Sequence, residues 1–163
     1  MENTKVKFDM EKGGSFVIEL MPEFAPKTAE NFKNLVSEGF YNGLIFHRVI
    51  DNFMAQGGDP TGTGMGGSDT NIKGEFAANG FSENTLSHTR GVVSMARSSN
   101  PDSASSQFFI CYGDCSFLDG QYAAFGKVIE GMETVDDFLK TERRGPEGGT
   151  PVEDIRIKTA VVL

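Results

Sequence analysis

Polar and apolar residues alternate from Lys5 to Met10, with Val6, Phe8 and Met10 on one side and Lys5, Lys7 and Asp9 on the other. A period of two predicts a strand with one buried face. Gly13-Gly14 marks a turn, and Ser15–Met21 alternates again with Phe16, Ile18 and Leu20 together. The two runs predict a hairpin. The period then changes. Pro26 suits a first helical position, Ala29, Phe32, Leu35 and Val36 follow at helical spacing, and Gly39 stands where helices stop. That predicts a helix over about residues 27–38.

Two short apolar runs, LIFHRVI and FMAQ, fill most of residues 44–57. On a regular strand Phe46, Arg48 and Ile50 point to one side, His47 and Val49 to the other. From Gly57 to Ser106 the chain is mostly polar and loop-like, broken by Gly91–Ala96. Gln107–Tyr112 and Ala123–Ile129 predict further strands. Met132, Val135, Phe138 and Leu139 share a helical face within Met132–Thr141. Ile155–Leu163 alternates, with Ile155, Ile157, Thr159, Val161 and Leu163 on one side. About eight strands in runs, with two isolated helices, exclude a doubly wound βαβ sheet. They predict an antiparallel sandwich or a closed barrel with helices packed outside. No repeat or linker interrupts the pattern, so residues 1–163 are expected to form one domain.

Composition narrows the function classes. Fifteen Lys and Arg against 23 Asp and Glu give a formal charge of −8. That balance argues against a nucleic-acid or anionic-membrane surface. No apolar run reaches the roughly 18 residues of a membrane span, and MENTKVKFDM has no apolar signal core. Cys111 and Cys115 are too few for a disulfide scaffold. A reduced, cytoplasmic protein is expected. Twenty Gly suit strands and tight turns, and 14 Phe without any Trp suit one apolar core or groove.

Most familiar chemistry is missing. GTGMGG at 62–67 resembles a phosphate loop, but no helix period follows it and no Lys-Ser or Lys-Thr pair accompanies it, so it is expected to be a surface turn. Cys111 and Cys115 have three residues between them and lack the further ligands of a zinc site, so free buried thiols are expected. His47 and His88 belong to no zinc spacing. No nucleophile elbow occurs, and Glu147 and the other carboxylates fall at polar positions of a solvated face. No metal or other cofactor is implied. One stretch is different. FHRVIDNFMAQGGD sets Arg48 in an apolar run. Phe53, Met54, Phe108, Phe109, Phe117 and Leu118 offer an apolar wall, with Gln56 and Gln107 as amides. Such a groove suits a peptide better than a charged metabolite.

FHRVIDNFMAQGGDPTGTGMGG, GVVSMAR, SSQFFICYG and FLDGQYAAFGKVIEGM, in this order and spacing, resemble the cyclophilins, a family of peptidyl-prolyl cis–trans isomerases. The likeness covers essentially the whole chain and is closest to the single-domain bacterial or cytosolic kind. It implies a mainly β fold, a closed eight-stranded antiparallel β-barrel capped by two α-helices. The interior is packed and the substrate lies in an outer groove. It also implies that Arg48 is catalytic. Phe53, Met54, Phe109 and Leu118 would form the proline pocket, and Gln56 and Gln107 would lie over the peptide. Gly64, Ala96, Arg97 and Ser98 would flank it, with Phe117 and Tyr122 on the rim. Implied partners are proline-containing peptides and proteins, met by a monomer without nucleic acid, membrane or cofactor. The competing readings are a non-catalytic proline-peptide binding module or chaperone on the same fold and, further off, a redox protein using the two cysteines. Four features depart from many eukaryotic relatives. Phe117 stands for tryptophan, Tyr122 for histidine and Arg97 for asparagine, and SSNPDSASS is one residue longer. The missing indole implies reduced affinity for cyclosporin.

Overall fold

A computed structural model describes residues 3–145 and 147–163. The elements run β1 (Lys5–Met10), β2 (Ser15–Leu20), α1 (Pro26–Ser37), β3 (Phe46–Ile50) and β4 (Met54–Gly57). They continue with β5 (Val92–Met95), β6 (Phe108–Cys111), β7 (Ala124–Glu130), α2 (Met132–Asp137), β8 (Arg143–Arg144), β9 (Thr150–Pro151) and β10 (Ile157–Val162). Eight strands make one antiparallel sheet in the order β10-β1-β2-β7-β5-β6-β4-β3, and β8 and β9 pair separately as a small hairpin. The fold is mainly β with two helices, as expected. The ladder itself is open. Its edge strands β3 and β10 are joined by a single bridge, Ile45–Arg156, rather than by a strand pair. Phe46 N donates to Ile155 O at 2.9 Å and Ile157 N to Leu44 O at 2.8 Å beside that bridge.

The inner face is filled. Phe8, Phe16, Phe32, Tyr41, Phe46 and Phe108 are all essentially inaccessible. Phe8 stacks on Phe16 at 5.1 Å, and Phe108 meets Phe32 edge-on at 5.3 Å, the offset and edge contacts that aromatic quadrupoles favour. The helical stripe Ala29, Phe32, Leu35 and Val36 is buried, as its spacing predicts. Helix α1 lies against β7 and β10, and α2 against β2. The second helix is shorter than its pattern suggests. It ends at Asp137 and tightens into a 3₁₀ turn over Phe138–Lys140, which still buries Phe138.

Strand sidedness is where alternation fails. Phe46 pairs with Gly57 and Arg48 with Gln56, so His47 is an extra residue on β3. This bulge breaks the period of two. Phe46 and Val49 both face the core, while Arg48 and Ile50 face outward. The expectation that Phe46, Arg48 and Ile50 share one side is therefore wrong. A second irregularity sits on the other edge strand. Met10 pairs with Ile157 but Asp9 with Thr159, so Lys158 is extra. Beyond it Ala160 is buried, whereas Val161 is 44% exposed and Leu163 65% exposed. They do not share the side of Ile157 as a regular strand predicts.

The start of α1 is tied to a distant loop. Ala25 at its N-cap offers no side-chain acceptor. Glu75 takes that role from 47 residues away, accepting from Thr28 N at 2.6 Å and Thr28 Oγ1 at 2.7 Å, with both residues buried. Its charge also suits the positive end of the helix. Glu75→Ala is expected to destabilise the protein by about 2–3 kcal/mol by leaving two buried donors unpaired. Glu75→Gln, which keeps an acceptor, should cost less. Urea unfolding of the three proteins checks the order.

Candidate active site

The outward face of β3-β4-β6-β5 builds the site by register alone. Arg48 pairs with Gln56, Gln56 with Phe109, and Phe109 with Ser94. Ile50, Met54 and Cys111 form the next outward row. The rows alternating with them, Val49-Ala55-Ile110-Val93 and Phe46-Gly57-Phe108-Met95, point into the core. Alternate residues of the same strands thus serve the core and the site.

A pocket of about 170 Å³ opens on this face, lined by Arg48, Phe53, Met54, Gln56, Ala96, Arg97, Phe109, Leu118 and Tyr122. Phe109 forms its floor, edge-on to Tyr122 at 5.9 Å. Arg48 spans one wall with its guanidinium carbon 5.8 Å from the Phe53 ring centre. A second recess of about 500 Å³ adjoins it and shares Gln56, Ala96 and Arg97. Gly64, Ser98 and Gln107, singled out from the sequence, line this recess and not the first pocket. Phe117 lines neither. It is 69% exposed and tilts against Phe53 at 5.8 Å on the rim. The remaining sequence-derived site residues are gathered in the first pocket.

A chain of hydrogen bonds fixes the polar groups. Arg48 Nε donates to Glu147 Oε2 at 2.7 Å, and one terminal nitrogen to Gln56 Oε1 at 3.3 Å. Gln56 Nε2 donates to Gln107 Oε1 at 2.9 Å. Gln107 Nε2 donates to the carbonyls of Gly64 at 3.0 Å and Gly66 at 2.8 Å. Of the five guanidinium N–H donors, two are occupied and three remain. Glu147 was missed in the sequence, where it reads as one of many solvated carboxylates. It comes from the turn between β8 and β9, 99 residues from Arg48, and no local pattern links them.

Phe109 also has support from behind. The His88 ring lies parallel to it at 6.0 Å and is wholly buried. His88 Nδ1 lies 2.8 Å from Asp119 Oδ1, and Nε2 lies 2.9 Å from Ser94 Oγ. Burial pushes the His88 pKa down, and the Asp119 carboxylate only partly opposes it. Burial likewise lowers His47, helped by Arg48 and opposed by Asp59. Cys111 and Cys115 are free and inaccessible behind Met54 and Phe109, and burial raises both thiol pKa values. Among the described residues no group of three or more His, Cys, Asp or Glu gathers as a metal site. No helix among them is long and apolar enough to cross a membrane.

The loop 61–66 cradles an anion after all, but its own. Asp59, only 1% exposed, accepts from the backbone N–H groups of Thr61 at 2.8 Å, Gly64 at 2.6 Å, and Thr63 and Gly66 at 3.1 Å. Gly64 has φ of +89°, and a Cβ there would meet His47 Nε2 at 3.3 Å. Glycine is needed for the turn and for the approach to β3.

The family model described as cyclophilin type peptidyl-prolyl cis-trans isomerase/CLD matches residues 5–162. The peptidyl-prolyl cis-trans isomerase-like 3 of Rattus norvegicus is 45% identical over 149 residues, covering 91% of this chain and 90% of the relative. A peptidyl-prolyl cis-trans isomerase of Acinetobacter baylyi is 45% identical over 154 residues, covering 88% of this chain and 78% of that protein. A crystal structure of a cyclophilin type isomerase from Cryptosporidium parvum superposes with a TM-score of 0.84 at 34% identity, covering 99% of this chain and 98% of that one. A second crystal structure from that organism, obtained in the presence of the dipeptide Ala-Pro, has a TM-score of 0.83 at 35% identity, covering 98% of each chain.

The Asp59 cradle ties stability to pH. Burial alone would raise this carboxyl, but the bonds from Thr61, Gly66 and Gly64 outweigh it and hold its pKa at about 2, below the ordinary 3.8. A depressed carboxyl stabilises the fold above its unfolded value and ceases to as pH falls through its folded value. Asp59→Asn is expected to cost about 2 kcal/mol at pH 7. The gap between the variant and the unmodified protein should narrow from pH 4 to pH 2, as read by denaturant titrations across that range.

Proposed function

The chain belongs to the cyclophilin-type peptidyl-prolyl cis-trans isomerase family, and we propose that Arg48 is the group through which it catalyses rotation about X–Pro bonds. The chain is an isomerase by its family and its relatives. The residues that do the work, a single domain spanning 1–163, action as a monomer and a cytoplasmic setting are our reading. So is treating the Ile45–Arg156 seam as the closure of a barrel. Proline-containing peptides are the substrates. The carrying observation is a held guanidinium with three unoccupied N–H groups on the wall of a small pocket that also holds Phe53, Met54, Phe109 and Leu118.

Peptide rotation is opposed by C–N resonance, with a barrier of about 18–20 kcal/mol. X–Pro bonds populate both isomers but exchange over tens to hundreds of seconds. In the twisted transition state the proline nitrogen becomes pyramidal and gains a lone pair that the planar amide lacks. A guanidinium donating to that nitrogen stabilises the twisted state over the planar one, and only such differential binding accelerates the step. Phe53, Met54, Phe109 and Leu118 hold the proline ring and keep water from the nitrogen. Gln56 and Glu147 occupy the other donors of Arg48 and fix the plane of its guanidinium, leaving three N–H groups unoccupied. Gln107 and Gly64 order the peptide on the neighbouring side with Ala96 and Ser98. No nucleophile or acid–base pair is needed.

Arg48→Ala is expected to lower kcat/KM on the order of 10²–10³-fold, the loss typical of a preorganised transition-state donor. Binding of a proline peptide should persist. Arg48→Lys should restore little, since an ammonium lacks the planar fork. The rate should also be nearly flat from about pH 6.5 to 8, because both histidine pKa values lie below their usual 6.5. A protease-coupled assay on a Pro-containing tetrapeptide reads both outcomes. Turnover by Arg48→Ala close to that of the unmodified protein would defeat the mechanism.

Cyclosporin tests the rim. The family's sensitive members give the drug a tryptophan indole N–H, and Phe117 has no donor. A desolvated drug carbonyl against Phe117 loses about 1–3 kcal/mol, a five- to hundred-fold weaker affinity. Phe117→Trp is expected to tighten inhibition more than it raises turnover, and Tyr122 adds bulk to the same rim. Drug titration of both proteins decides it.

A further inference from the structure

Six arginines occur in this acidic chain, and five meet a carboxylate. Arg48 pairs with Glu147 at 2.7 Å, Arg90 with Asp136 at 2.6 Å, and Arg143 with Asp51, Arg144 with Glu142 and Arg156 with Asp154 at 2.9 Å. Arg97 alone has no carboxylate partner among the described residues, in a chain with 23 acidic side chains. It is nevertheless fixed. Nε and one terminal nitrogen donate to Gln121 O at 3.3 and 2.7 Å, and the other terminal nitrogen donates to Ser98 O at 3.0 Å. Its guanidinium carbon lies 4.9 Å from the Phe76 ring centre and 4.6 Å from that of Tyr122. Carbonyls and aromatic faces orient a guanidinium without cancelling its charge. Three of its five donors are used. One N–H on each terminal nitrogen is left, the pair a carboxylate takes with its two oxygens.

Arg97 stands where the proline pocket meets the larger recess and lines both. Among the described residues no carboxylate lines that recess, and Arg97 is the only charged one that does. Hydroxyls and amides make up much of the rest, and of these Asn71 and Ser105 have side-chain donors that meet no acceptor among the described residues. Such groups can donate to an acceptor-only ligand. We propose that Arg97 determines specificity by selecting peptides that carry a carboxylate side chain, Asp or Glu, close to the proline. The proposal rests on the groove being the substrate site and adds the chemistry of the neighbouring side chain. The two cavities share a wall, so the acidic residue lies within a few positions of the proline at about 3.3 Å per extended residue.

The test uses the full chain and peptides with one X–Pro bond, bearing Glu, Gln or Lys at one, two or three positions on either side of the proline. Both kcat/KM and calorimetric affinity are measured. At low salt, Glu is expected to exceed Gln about three- to tenfold at one position, with Lys below Gln, and the ratio should fall as salt rises. Arg97→Met keeps the apolar stem and should bring the Glu-to-Gln ratio to about one, with Arg97→Gln as a second variant. The ratio is the readout, so a change in overall rate does not confuse it, and the salt series needs no variant. Equal treatment of Glu and Gln at every position, or a ratio that survives loss of Arg97, overturns the proposal while turnover upholds the isomerase site. A Glu preference in binding without turnover upholds Arg97 and instead breaks the assignment of Arg48.

Discussion

Antiparallel register across β3-β4-β6-β5 is the constraint on which the site depends. Because side chains alternate, one backbone frame carries Val49, Ala55, Ile110 and Val93 inward and Arg48, Gln56, Phe109 and Ser94 outward. The inward set is locked by a dense aromatic interior, with Phe32, Tyr41 and Phe108 packed edge-on or tilted within about 5 Å of one another. Well-packed interiors resist displacement, so the outward groups inherit fixed positions from residues on the opposite face. It also explains why the candidate pocket lies on the outer face. The inside of the sheet has no room left.

Much of this was legible along the chain. A period of two located β1, β2 and β10, short apolar runs located the other five strands of the main sheet, and a period of 3.6 located both helices, each to within a few residues, because burial is a strong and local signal. The apolar run around Arg48, the two glutamines and the phenylalanines pointed to a peptide groove. Three things were not legible. The bulge at His47 leaves no mark in an apolar run, since His47 and Arg48 are both polar and either phase of alternation looks plausible. The extra residue at Lys158 is hidden in the same way, because Val161 and Leu163 keep an apolar rhythm even where they face solvent. Glu147 and the β8–β9 hairpin join the site only through folding. Their segments are too short and polar to carry a period.

The polar groups form a directed arrangement on top of that frame. Glu147, Arg48, Gln56 and Gln107 each have their orientation set by the next, ending on the carbonyls of Gly64 and Gly66. The loop holding those carbonyls is in turn organised by Asp59 through its opposite, donor side. One buried carboxylate thus acts on the amide protons of a segment whose carbonyls position an amide at the site. Such coupled satisfaction rigidifies a site when complete.

The bulge at His47 separates two kinds of genetic change along β3. Exchange of one outward side chain alters the groove and leaves the phase of the strand intact. A change that flattens the bulge into regular alternation while keeping all five residues turns Arg48 to the side of Phe46, where a guanidinium would meet a packed aromatic interior. An uncompensated buried charge of that kind is among the most disruptive changes a core can receive. The conformation of this strand is therefore under tighter restriction than the identity of its outward side chains. Loss of His47 itself would leave Phe46 inward and Arg48 outward, so the phase of β3 depends on the backbone conformation at the irregular residue and not on how many residues the strand contains.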